Sequence, residues 1–166
     1  IVADGGSKDD RITLADSINK PTILRGGDGD DVILGGSSAD VIDGGRGRDE
    51  LHGGGGADIL VGSLGDDLLF GDLGDDRLFG QEGDDTLYGG EDHDRIETGE
   101  GRNKAYGEGG NDTIIGGSLS DVLYGGDDDD TIEGGGGPDV IHGEDGIDTL
   151  RGEMGDDLLD GGDGSD

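Results

Sequence analysis

Over residues 26–160 a branched apolar residue returns at every ninth position, and no other position is reliably apolar. Fifteen uninterrupted units of nine residues fill the stretch, from GGDGDDVIL at 26–34 to GEMGDDLLD at 152–160. Position eight is Ile or Leu in fourteen of the fifteen, with Ala105 the exception, while positions seven and nine vary among apolar, charged and aromatic residues. Successive side chains of a strand face opposite ways. The pattern therefore predicts a very short strand at positions seven to nine, with its middle residue buried, and a turn at positions one to six.

The turn is as regular as the strand. Position one is Gly in fourteen units, Thr98 excepted, and position six is Asp in fourteen, Asn103 excepted. Gly at positions one, often two and usually four lets the backbone enter φ > 0 and crowd its carbonyls around a small centre, which the Asp closes. Residues 5–13 read GGSKDDRIT, with Asp10 and Ile12 where one more unit needs them. Residues 14–25 read LADSINKPTILR, with Ile18, Ile23 and Leu24 apolar, and break the period.

Composition makes this pattern hard to fold unaided. Of 166 residues only 28% are hydrophobic, 42 are Gly, and the formal charge is −32. One buried Leu or Ile per nine residues does not offset the entropy of ordering all nine, and stacked carboxylates add repulsion. There is no Cys, hence no disulfide staple, thiolate metal site or redox motif. No apolar run is long enough to span a membrane, and residues 1–25 lack the apolar block of a secretory signal peptide. The chain starts at Ile1 and reads as excised. With 43 acidic against 11 basic residues, nucleic acid and anionic membranes are repelled and cations attracted.

These units resemble the repeats-in-toxin (RTX) nonapeptide GGxGxDxUx, a calcium-binding pattern, over residues 26–166. The resemblance implies an all-β fold, a right-handed parallel β-roll (β-solenoid) with two repeats per coil, so that same-edge loops lie 18 residues apart. Residues 1–25 then form a degenerate capping coil, metal-free at Pro21, and residues 26–166 a roll of fifteen complete units and a truncated sixteenth. The chemistry agrees. Ca²⁺ takes six to eight oxygen ligands and tolerates irregular loops, whereas Zn²⁺ and Cu²⁺ prefer His or Cys.

The resemblance further implies one Ca²⁺ between each pair of same-edge loops, held by both position-six side chains and by backbone carbonyls. One edge carries Asp40, Asp58, Asp76, Asp94, Asp112, Asp130, Asp148 and Asp166. The other carries Asp31, Asp49, Asp67, Asp85, Asn103, Asp121, Asp139 and Asp157, and its two gaps at Asn103 are expected to be the weakest. Candidate carbonyl donors are Gly27, Gly29, Gly44, Gly45, Gly47, Gly53, Gly54, Gly56, Gly62, Gly65, Gly71, Gly74, Gly80 and Gly83. About seven gaps per edge give on the order of fourteen ions, so that the acidity is largely ligand charge.

All five aromatics sit at position nine, and Phe70, Tyr88, Tyr106 and Tyr124, 18 apart, should stack on one sheet, continued by His52 and His142. The stripe reads as ladder packing or as a docking surface for a glycan or protein. The unit 98–106, TGEGRNKAY, is the weakest of the array. No HExxH, GxSxG, Cys nucleophile or phosphate-binding loop is present, and no enzyme is expected. The expected role is a calcium-binding structural module of a secreted bacterial protein, exported by type I secretion and folding on Ca²⁺ outside the cell. The alternatives are an adhesive module, or the folding and secretion tail of a protease, lipase or alginate epimerase. An open end at Asp166 would invite end-to-end self-association.

Overall fold

The computed structural model describes residues 2–15 and 18–165. Asp166 therefore lies outside the described residues, as do Asp16 and Ser17 of the 14–25 stretch. Every element among the described residues is a strand, and every pairing is parallel. Strands alternate between two sheets, each with nine strands in coil order, the second also holding the short Asp163–Gly164. The result is a β-solenoid of two nonapeptides per coil. Ile42 pairs with Leu60, and Leu87 with Leu69 and Ala105, at the 18-residue spacing.

The strands are longer than the apolar pattern predicts. Val41–Arg46, Leu68–Leu73 and most others run six residues, through positions seven, eight, nine, one, two and three. Pairing resumes beyond position one, Gly45 opposite Gly27 and Ser63. The true turn is only positions four to six. Glycine hid this extension, because a residue without a side chain gives no alternation to read.

Burial corrects the expectation of one inward residue per unit. Positions six, eight and one all face the interior, in the two-residue alternation of an extended chain. Leu24, Ile33, Ile42 and their successors to Ile141 form one continuous column, each fully buried. Flanking it are the position-six side chains from Asp31 to Asp148, at most 5% exposed. The carboxylates are thus part of the core wall.

The N-terminal segment stacks on the roll. Val2–Ser7 pairs with Ile23–Asp28, and Arg11–Thr13 with Val32–Leu34, at a spacing of 21 that absorbs three extra residues. Leu24 enters the core, and Thr22 takes the position-six place one coil before Asp40. The 98–106 unit keeps both strands, Arg95–Glu100 and Lys104–Gly109, with Ala105 and Thr98 fully buried. The aromatic ladder is present. Rings from His52 through Phe70, Tyr88, Tyr106 and Tyr124 to His142 stack at 4.5–5.0 Å and within 10° of parallel. Phe79 lies in the other sheet, between Val61 and Glu97.

Candidate metal centres

Each position-six aspartate is built into two coils at once. Its Oδ1 accepts the backbone N–H of the position-six residue one coil earlier: Asp40 donates to Asp58, Asp58 to Asp76, and Asp76 to Asp94, at 2.6–2.7 Å. The second edge repeats the pattern from Asp10, through Asp31, Asp49, Asp67 and Asp85, to Asn103 at 2.7–2.8 Å. This bond fixes the side-chain rotamer and aims the second oxygen.

That oxygen is stranded. The Oδ2 atoms of Asp10, Asp31, Asp49, Asp58, Asp67, Asp76, Asp85, Asp94, Asp112, Asp130 and Asp139 are buried with no hydrogen-bond partner. A buried charged oxygen without a partner is among the costliest features a fold can carry. Burial pushes the carboxyls of Asp58, Asp67, Asp76 and Asp130 up to about 7, and that of Asp94 to about 8. Those of Asp49, Asp85 and Asp112 rise to about 6. The amide of the preceding coil opposes the rise in each case, and neighbouring carboxylates add to it in most.

Backbone oxygens surround the same place. Position-one glycines are required because the aspartate lies over them: a β-carbon on Gly62 would sit 2.5 Å from Asp67 Oδ2 and 2.9 Å from the Gly80 carbonyl of the next coil. Gly44, Gly53, Gly71 and Gly80 are crowded in the same way. At positions two and four the chain turns to positive φ. Gly27, Gly45 and Gly54 do so at position two, and Gly29, Gly47, Gly56, Gly65, Gly74 and Gly83 at position four. A β-carbon on Gly45 or Gly47 would strike the carbonyl oxygen of Gly27 or Gly29 in the coil before. Carbonyls of positions two and four therefore face the next coil, and that of position one faces back.

An oxygen-only donor set with stranded carboxylate oxygens fits Ca²⁺, which accepts carbonyls and carboxylates together. Among the described residues no three His, Asp or Glu side chains gather as a metal cage, so backbone carbonyls must complete any coordination shell. Asp10 repeats the arrangement although it lies outside the regular array. Its signal was the loop GGSKDD, displaced by the three-residue insertion.

Four position-six residues differ. Asp40 Oδ2 accepts the N–H of Gly36 at 2.9 Å, and Asp121 Oδ2 that of Gly117 at 2.7 Å, so both oxygens are satisfied inside their own loops. Asn103 uses Oδ1 for the Asp85 N–H and leaves Nδ2 buried without a partner. Asp157 is bonded by Asp139 through Oδ1 at 3.0 Å and is only partly buried.

No curated protein matches the chain. The RTX calcium-binding nonapeptide repeat (4 copies) matches it in overlapping segments, 22–51, 52–87, 70–105, 88–123, 106–141 and 133–166. Together they cover everything from residue 22 onward. With the periodic loops, the parallel β-solenoid and the stranded carboxylates, this match establishes that the chain belongs to the family of RTX calcium-binding nonapeptide repeats and is a structural module that binds several calcium ions.

Proposed function

We propose that the chain is a segment of a secreted bacterial protein that stays disordered where calcium is scarce and folds where calcium is abundant, outside the cell after type I export. Its role is structural and not catalytic. The ions lie between stacked loops, each held by the position-six carboxylates and by carbonyls of positions one, two and four. The observation that carries this reading is the row of buried, unpartnered Oδ2 atoms along both edges. The metal-free roll cannot easily tolerate them, and a divalent ion in each gap would neutralise them.

Because no such gap exists in the unfolded chain, binding free energy becomes folding free energy. The aromatic ladder supports the roll from outside. Its inner rings present both faces to neighbouring rings, so they serve packing better than sugar stacking, which needs a free face. Circular dichroism during a calcium titration tests the proposal. A disordered spectrum in chelator, turning cooperatively to β with Ca²⁺ and much less with Mg²⁺, is expected. A full β spectrum that persists in excess chelator at or above neutral pH would refute it.

A further inference from the structure

Both edges contain loops that have the sequence ending of a calcium loop without its geometry. We infer that loops 35–40 and 116–121 close on their own aspartates and hold no calcium, the former interrupting the ion row of the first edge and the latter, with Asn103, that of the second. The inference rests on the ligand row proposed above and narrows it.

Three observations hold for both loops and a fourth for loop 35–40. First, Asp40 and Asp121 are the position-six aspartates between Asp10 and Asp139 whose Oδ2 has a protein donor, the amide of Gly36 or Gly117. Second, neither loop has a residue at positive φ, whereas the other loops from residue 26 to 157 turn at both position two and position four. They do so even where the residue is not Gly: Ser63, Asp72, Gln81 and Glu108 at position two, Asp92 and Asp128 at position four. Third, the carboxylate has moved. Asp40 Oδ2 is no longer among the atoms nearest to where a β-carbon of Gly35 would lie, and Asp121 Oδ2 stands 2.9 Å from that point on Gly116. Fourth, and in loop 35–40 alone, a β-carbon on Gly36 would meet nothing closer than 3.5 Å, so the crowding of position two is gone there, whereas one on Gly117 would still strike the Gly99 carbonyl.

Asp40 is also capped from the other side, since Thr22 donates both its N–H and its hydroxyl to Oδ1 at 2.8 Å. A cation beside Asp40 or Asp121 would have to displace an existing charge-assisted bond and strand a buried amide. Asn103 blocks its gaps differently. The Asp85 N–H fixes Oδ1 as the acceptor, which leaves the NH₂ group where other loops offer an oxygen, and its partly positive N–H hydrogens, with no lone pair to give, repel a cation.

The second edge therefore loses three consecutive gaps, between Asp85 and Asn103, Asn103 and Asp121, and Asp121 and Asp139. The first loses the gap between Asp40 and Asp58 and is intact from Asp58 to Asp130. Roughly ten complete gaps remain among the described residues, fewer than the fourteen that the period alone implies.

Bound calcium in the full chain, measured by equilibrium dialysis and atomic emission at saturating Ca²⁺, tests this with two variants. Asp121→Asn should keep the wild-type calcium content, while Asp76→Asn, whose carboxylate faces two complete gaps, should lose about two ions of roughly ten. Equal losses in both variants would overturn the inference while sparing the ligand row. No loss in Asp76→Asn would overturn the ligand row, and the inference with it. If Asp76→Asn does not fold, calcium anomalous diffraction from the wild-type chain decides. A peak between Asp67 and Asp85 and none between Asn103 and Asp121 is expected, and a peak in the latter gap is fatal to the inference.

Discussion

Loops 107–112 and 116–121 follow each other in one coil, both open on Gly and both end on a buried Asp. In the first, Glu108 and Gly110 take φ of 77° and 115°, and Asp112 Oδ2 has no partner. In the second, Gly117 and Leu119 stay out of that region, and Asp121 Oδ2 binds the Gly117 amide. The strained loop is the one with the unsatisfied carboxylate. Left-handed geometry at a non-Gly residue is unfavourable, so Glu108 persists there only if something in the native state rewards it. Under the proposed function, that reward is an oxygen-lined gap for a cation. Loop 116–121, with Leu119 at position four, takes the relaxed alternative and bonds to itself.

Calcium removal should break this contrast most severely. In excess chelator the open loops lose their counter-ions, and the β signal in circular dichroism should vanish near neutral pH. Protons are the weaker substitute. The raised carboxyls mean that the metal-free fold is stabilised below the unfolded aspartate range, near 4, and loses that stability as pH climbs through 6 to 8, where the folded-state groups titrate. Residual β structure in chelator should therefore be greater at pH 5 than at pH 8.5. A response that ran the other way would contradict the burial of these groups.

Glycine substitution sharpens the same comparison. Gly45→Ala, at position two of an open loop, places a methyl against the Gly27 carbonyl, and should cost about 3 kcal/mol in calcium-loaded thermal unfolding, at the upper end of ordinary overpacking. Gly36→Ala, in a closed loop with open space, should fall within about 0.5 kcal/mol of wild type. Similar losses at the two sites would erase the distinction between open and closed loops.

Tyr106→Ser probes the shared sheet. It removes two ring stacks, at 4.7 and 5.0 Å, each worth about 0.5–1.5 kcal/mol, and should lower stability by roughly 2 kcal/mol without changing calcium content. Asn103→Asp should have a smaller effect than the loss of a ring. It restores an oxygen opposite Asp85 in a loop whose Gly99 and Gly101 are already at positive φ, and should shift the calcium midpoint downward by about 1 kcal/mol of binding free energy. An unchanged midpoint would mean that the side chain at 103 does not govern that gap.

Much of the fold was legible because a nine-residue period leaves its mark on residue types. Position eight announced the core column, and the regular Gly and Asp announced the turns. The strand length was not legible, since its second half is written in Gly and in variable polar residues that carry no alternation. The inward face of position six was missed for a related reason: Asp reads as surface, yet here an extended backbone carries it inward beside position eight. Asp10 was legible as the aspartate of one more unit, although the insertion sets it 21 residues from Asp31, whereas Thr22, 18 residues before Asp40, was missed because a Thr at position six does not look like the loop Asp.

Sequence alone determined the repeating unit, the stacking interval, the thin apolar column and the need for a hard divalent cation, because each follows from which residue types recur and which are missing. Only the tertiary structure decided which carboxylates are left without a protein partner. Asp112 and Asp121 are the same residue at the same place in the repeat, and what separates them is whether an amide of their own loop reaches Oδ2. That depends on two backbone dihedrals and on contacts with the coils above and below, which no single unit of nine residues encodes.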